Sequence, residues 1–175
     1  AAPDNRVTIE LDGEGVSFFC ASMGNPHAVT FEHYPEDDRF YRWGPLVEKH
    51  PLFPQGTNVE FCRLRPDGGI DVRVWERGDG ETLACGTGAC AVTVAAVESG
   101  RCELGSDIKM LLRGGELSIR YTGDTVIMTG PAAVAFEGEV EAFAKMRYAA
   151  APARSRIKIE NGRAEVRFDS PSRAV

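Results

Sequence analysis

The residues best suited to chemistry lie in one stretch, Glu81-Thr82-Leu83-Ala84-Cys85-Gly86-Thr87-Gly88-Ala89-Cys90. It is preceded by a strand-like run, Val72 to Arg77, and followed by an apolar, helix-like run, Ala91 to Val97. A cysteine and two glycines therefore stand where a loop becomes a helix. The first N–H groups of a helix have no partner within it and point outward, and with the helix dipole they favour an anion. The same field favours thiolate over thiol, so Cys85 is expected to have a lowered pKa and to accept or donate a proton. Gly86 and Gly88 lack a Cβ and let a ligand lie against the backbone. A plainer account stays open on spacing alone: Gly-Thr-Gly caps a buried helix and Cys85 is a small core residue.

Three other places present polar side chains. Met23-Gly24-Asn25-Pro26-His27 breaks the chain between two apolar runs and carries Asn25 and His27 at the tip of a loop. Taken alone, Asn25 is equally explained by an Asx turn, and His27 by a buried imidazole bonded to a carbonyl. Asn58 falls where the loop Gly56-Thr57 leads into a strand, Val59-Glu60-Phe61. Glu76 and Arg77 end the strand that begins near Ile70, and they are delivered to the loop before Cys85.

The elements that must position these groups follow from period and punctuation. Residues 5–11 and 16–21 read as strands joined at Asp12-Gly13. Residues 37–50 read as a helix with Asp37 and Asp38 at its start and Phe40, Trp43, Leu46 and Val47 on its core face; Gly44-Pro45 is expected to kink or split it. Asp67-Gly68-Gly69 is a hairpin turn. The central helix is expected to end at Glu98-Ser99-Gly100, with Gly100 just past its last turn. Residues 108–112, 115–121 and 125–129 read as strands, Val134 to Phe136 as another, and Glu139 to Tyr148 as a final short helix. Residues 149–153 read as a linker, and Asn161-Gly162 as the turn of a closing hairpin. The division expected is 1–147 for the main domain and 148–175 for a linker and hairpin tail.

Composition bounds the partners. At 175 residues the chain can bury roughly 70% of its extended surface, enough for a core. The net charge of −6 argues against nucleic acid, and no apolar run approaches a membrane span. Five cysteines, none in a C-x-x-C pair, and three histidines without ligand spacing give neither a disulfide framework nor a metal site. With no signal peptide visible, a reducing, cytoplasmic setting is expected; the absence of an initiator Met suits a processed chain or a piece of a longer one.

In order and spacing, Met23–His27, Pro54-Gln55-Gly56-Thr57-Asn58, Trp75-Glu76-Arg77-Gly78 and Gly80–Ala89 resemble the C-terminal half of diaminopimelate epimerase. The resemblance covers about residues 5 to 140, and Thr129-Gly130-Pro131-Ala132 with Glu137-Gly138-Glu139 is similar to that family's end. It implies an α+β fold: a mixed sheet wrapped around a central helix, one half of a two-domain protein with its site between the halves. It also implies a cofactor-independent epimerase in lysine and cell-wall precursor biosynthesis, converting LL-diaminopimelate to the meso form. One cysteine from each half acts as acid or base, Cys85 being this half's. On the same resemblance Gly86 and Thr87 bind the reacting carboxylate, and Asn25, Asn58, Glu76 and Arg77 hold the substrate. His27 and Glu76 tune the cysteine. The segment carrying the second cysteine is not in this chain, and residues 149–175 lie beyond the family's usual end. Three readings follow: a subunit or fragment that needs the other half, a chain that pairs with a second copy of itself, or a non-catalytic module that binds an amino acid.

Overall fold

In a computed structural model of the chain, the structure describes residues 5–132, 138–144, 153–160 and 163–168. They fall into two units, one ending at Pro131 and one beginning at Ala132.

The first unit is built from alternation. β1 (Arg6–Leu11) and β2 (Glu14–Ser22) pair antiparallel through the turn at Asp12-Gly13, and β2 pairs with β3 (Pro26–Thr30). The helix α1 (Asp37–Glu48) follows, then β4 (Asn58–Leu64), which joins β3 in parallel, and β5 (Ile70–Glu76), antiparallel to β4. A short β6 (Gly80–Thr82) folds back on β5. The helix α2 (Gly86–Glu98) then crosses to β7 (Asp107–Leu112), parallel to β5, and β8 (Gly115–Tyr121) and β9 (Val126–Thr129) complete the sheet as hairpins. The order is β1-β2-β3-β4-β5-β7-β8-β9, with β6 on β5.

α2 packs against β2, β3 and β4 and also against β8 and β9, so the mixed sheet wraps round it as expected. The helix suits that place: Gly88, Ala89, Ala91, Val92, Ala95 and Ala96 are all buried, and their small side chains let strands approach on every side. α1 covers the other face. Period two then sorts the strands. On β4, Val59 and Phe61 point into the layer under α1 with Phe40, Trp43 and Val47, while Cys62 points toward α2 with Val29, Val72 and Val74. Phe61 is fully buried and meets the rings of Phe18, Phe40 and Trp43 at 5.6–6.4 Å. Phe61→Ala is therefore expected to cost about 3–5 kcal/mol of stability, read from the midpoint of urea unfolding.

The structure departs from expectation at several points. α1 is not split at Gly44-Pro45; it runs unbroken through Pro45. Gly44 has a packing reason, since a Cβ there would lie 2.5 Å from the Trp75 indole. His27 is not at a loop tip: the chain turns at Gly24 (φ +88°), and β3 begins at Pro26 and buries His27. The final helix expected over Glu139–Tyr148 is replaced, within the described residues, by a strand, β10 (Gly138–Ala144). Its run Glu-Val-Glu-Ala alternates, and it pairs antiparallel with β11 (Ala153–Glu160), which pairs antiparallel with β12 (Arg163–Phe168); the turn expected at Asn161-Gly162 lies outside the described residues. The second unit, which begins at Ala132, contains this three-stranded sheet. The strand expected at Val134–Phe136 lies outside the described residues.

Candidate active site

Cys85 is the N-cap of α2, with extended backbone, and its Sγ accepts the N–H of Gly88 at 3.3 Å. The loop that brings it there is tied down on both sides. The Leu83 carbonyl accepts the Gly114 N–H at 2.6 Å, across to the turn between β7 and β8. Glu81 on β6 holds Arg73 at 2.8 Å and Arg113 at 2.7 Å. Gly86 and Thr87 open the helix, so their N–H groups have no partner within it and remain a place for an anion. Gly88 is needed for space: a Cβ there would lie 2.7 Å from Glu60 Oε1 and 3.3 Å from Cys85 Sγ.

The other residues singled out in the sequence gather in two groups around this point. Asn25 donates from Nδ2 to Thr87 Oγ1 at 3.3 Å, and Thr87 Oγ1 lies 3.5 Å from Cys85 Sγ. The Asn25 Oδ1 faces His27 Nε2 at 3.1 Å. In the second group Asn58 sits opposite His27 in the parallel ladder. It donates to the Pro26 carbonyl at 3.0 Å and accepts the Arg77 N–H at 2.9 Å, joining the three loops. The Arg77 guanidinium is exposed and donates to the Gln55 carbonyl at 3.1 Å. Among the described residues no carboxylate pairs with it, which leaves its fork able to take a ligand carboxylate. Glu76 accepts the Thr82 hydroxyl at 2.6 Å and closes the β5–β6 hairpin.

Two contributors escaped sequence reasoning. Glu60 is fully buried on β4, with Oε1 2.7 Å from His27 Nδ1. The available signal was a glutamate on the α2-facing side of the apolar strand Val59-Glu60-Phe61-Cys62. Glu48, at the end of α1, accepts from Trp75 Nε1 at 2.8 Å and from the Gly78 N–H at 3.0 Å, so it anchors the Arg77 turn. Nothing short of the tertiary fold marked it. Cys90, read as packing, lies half-buried against the α2 core. Among the described residues no three acids, histidines or cysteines gather as a metal site, and no helix is long and apolar enough to cross a membrane.

The electrostatics of Cys85 differ from the expectation. Burial pushes its thiol up; the Thr87 and Gly88 hydrogen bonds pull it down, but Glu76 and Glu60 push it up again. The net direction is up, so the helix terminus does not by itself make a resting thiolate. A raised pKa means a smaller thiolate fraction than a free cysteine at any pH below it. The rate of Cys85 alkylation by iodoacetamide, followed by peptide mass spectrometry, should therefore keep climbing at pH values where a free thiol has already levelled off.

The family model for diaminopimelate epimerase matches residues 19–135. Over 138 residues the chain is 47% identical to a diaminopimelate epimerase of Leptospira biflexa, a match covering 78% of this chain and 48% of that protein. It is 50% identical over 131 residues to one of Desulfitobacterium hafniense, covering 74% and 46%. The chain spans about half the length of these curated relatives. Among solved structures, a hydroxyproline epimerase from Agrobacterium vitis superposes with a TM-score of 0.50 at 20% identity, over 69% of this chain and 40% of that one; the likeness is one of fold.

Proposed function

This chain belongs to the diaminopimelate epimerase family, and we propose that it supplies the carboxyl-terminal half of a cofactor-independent amino-acid epimerase acting on LL-diaminopimelate. The observation that carries this reading is Cys85 at the N-cap of α2, beside the outward N–H groups of Gly86 and Thr87. A carboxylate bound to those donors sets its α-carbon next to the sulfur. When the α-proton leaves, the electron pair spreads onto that carboxylate, where oriented N–H groups stabilise it. Cys85 rests as a thiol and gives its proton to one face of the carbon. A thiolate from the other half takes the α-proton from the opposite face, and the centre inverts with no net change in atoms. In the reverse direction the two sulfurs exchange roles.

Asn25, Asn58 and Arg77 hold the far amino-acid end of the substrate in this reading, with Arg77 pairing its carboxylate. Glu76 shapes the turn that presents Arg77, and it acts with His27 on the cysteine. The partner that completes the site is the missing half.

The test is complementation. The chain mixed with the amino-terminal half of a full-length relative is expected to produce meso-diaminopimelate from the LL form, which neither piece does alone. Activity of the chain alone would instead mean that two copies of Cys85 face one cleft. Binding of diaminopimelate with no activity in either case would make the chain a binding module.

A further inference from the structure

Glu60 is the feature that this reading leaves unused. Its side chain is fully buried, its Oε1 meets His27 Nδ1 at 2.7 Å, and its Oε2 has no hydrogen-bond partner among the described residues. A buried carboxyl with one bonded oxygen and one bare oxygen is costly as scaffolding alone. From it a continuous chain of contacts leads to the sulfur. His27 Nε2 faces Asn25 Oδ1 at 3.1 Å, Asn25 Nδ2 faces Thr87 Oγ1 at 3.3 Å, and Thr87 Oγ1 faces Cys85 Sγ at 3.5 Å.

Proton counting gives the chain a direction. Asn25 Oδ1 only accepts, so His27 Nε2 must carry a hydrogen. Asn25 Nδ2 only donates, so Thr87 Oγ1 accepts there and its single O–H is left to point at Cys85. With Nε2 protonated, the short Glu60–His27 contact needs one more proton, on Nδ1 or on the carboxyl. Burial of Glu60 pushes its carboxyl up, a direction that favours keeping that proton in the pair. Without it, Nδ1 would take the only ring hydrogen, and the Nε2 lone pair would face the Asn25 oxygen.

We propose that Glu60 is a positioning residue for Cys85: through His27, Asn25 and Thr87 it orients a hydroxyl hydrogen toward Sγ, ready to stabilise the thiolate left after Cys85 gives up its proton. This rests on the reading of Cys85 as a proton-transfer group. Its test reads the sulfur directly and requires no turnover, so it fails or succeeds independently of complementation.

The pH midpoint of Cys85 alkylation, measured site by site in the intact chain, separates the alternatives. Glu60→Leu removes the partner of His27, and the midpoint is expected to rise by about one pH unit, a tenfold loss of thiolate on the rising limb. Glu60→Gln keeps an N–H donor for Nδ1 and should stay close to the parent. Thr87→Val, on the surface, cuts the last link without disturbing the core and should raise the midpoint similarly; this variant decides the matter if Glu60→Leu does not fold. Adding Glu60→Leu to Thr87→Val should change nothing further, because both act on one path. If Glu60 acted only through its charge, Leu and Gln would both lower the midpoint, and the proposal would be overturned. An unchanged midpoint in Thr87→Val, or additive effects in the double variant, would overturn it as well.

Discussion

Replacing Cys85 by serine in the complemented enzyme is expected to reduce epimerisation by at least about 10³-fold while leaving the fold intact. One side chain does two separable jobs here. Cys85 caps α2 by accepting the Gly88 N–H, and it carries the proton that the chemistry moves. Serine retains the cap, since hydroxyls are good N-cap acceptors, but a hydroxyl is far too weak an acid to take over the proton transfer. Cys85→Ala removes both jobs. It should be equally inactive and should also lose about 1 kcal/mol of stability, because the Gly88 N–H is left without its partner. Steady-state kinetics on both variants, with urea unfolding of each, check the pair of expectations. A serine variant that keeps appreciable activity would assign the chemistry to another group.

The second large effect is at Arg77. Its backbone N–H is held by Asn58, and its aliphatic stem lies against Gly56, where an added Cβ would come within 3.0 Å of the Arg77 Cδ. The guanidinium is therefore presented from a fixed base, and among the described residues it engages only the Gln55 carbonyl. Arg77→Met keeps the stem and the backbone bond and removes the fork. If the fork binds the distal carboxylate of the substrate, kcat/KM for diaminopimelate should fall by about 10²–10³-fold. Stability should change by only about 0.5 kcal/mol, as for other exposed positions. Arg77→Lys should restore part of the loss, because an ammonium supplies charge without the paired geometry. Equal losses in kcat/KM for a substrate lacking the distal end would place Arg77 elsewhere in the mechanism.

Much of the site could be read from the chain because its parts are local. A loop-to-helix junction with Cys85, Gly86 and Gly88 is legible from composition and period, and the structure builds α2 from Gly86 onward. The turns at Asp12-Gly13 and Asp67-Gly68 likewise announce their hairpins. The family followed from four short segments, and the match over residues 19–135 bears it out. What stayed hidden depends on distant residues. Whether Cys85 is a thiol or a thiolate depends on burial and on Glu60 and Glu76, which come from strands β4 and β5. His27 looked like a loop residue because Pro26 reads as a breaker, yet proline is tolerated at the first residue of a strand, and β3 starts there. The stretch after Gly138 has good helix formers, Glu, Ala and Lys, but pairing with β11 overrides that local preference. Glu48 gave no sign of itself, since its partners Trp75 and Gly78 are brought to it only by the packing of α1 on β5.

In the proposed function this chain contributes one sulfur to a two-sulfur proton exchange at an amino-acid α-carbon. The most direct measurement is α-proton exchange in D₂O: LL-diaminopimelate is incubated with the chain plus the amino-terminal half of a relative, and the α-proton signal and the meso product are followed by NMR, with the Cys85→Ser chain as control. The account predicts meso product carrying deuterium at the inverted carbon, and its disappearance in the control. Deuterated meso product that persists with Cys85→Ser, or its complete absence from the assembled wild-type halves, would contradict it.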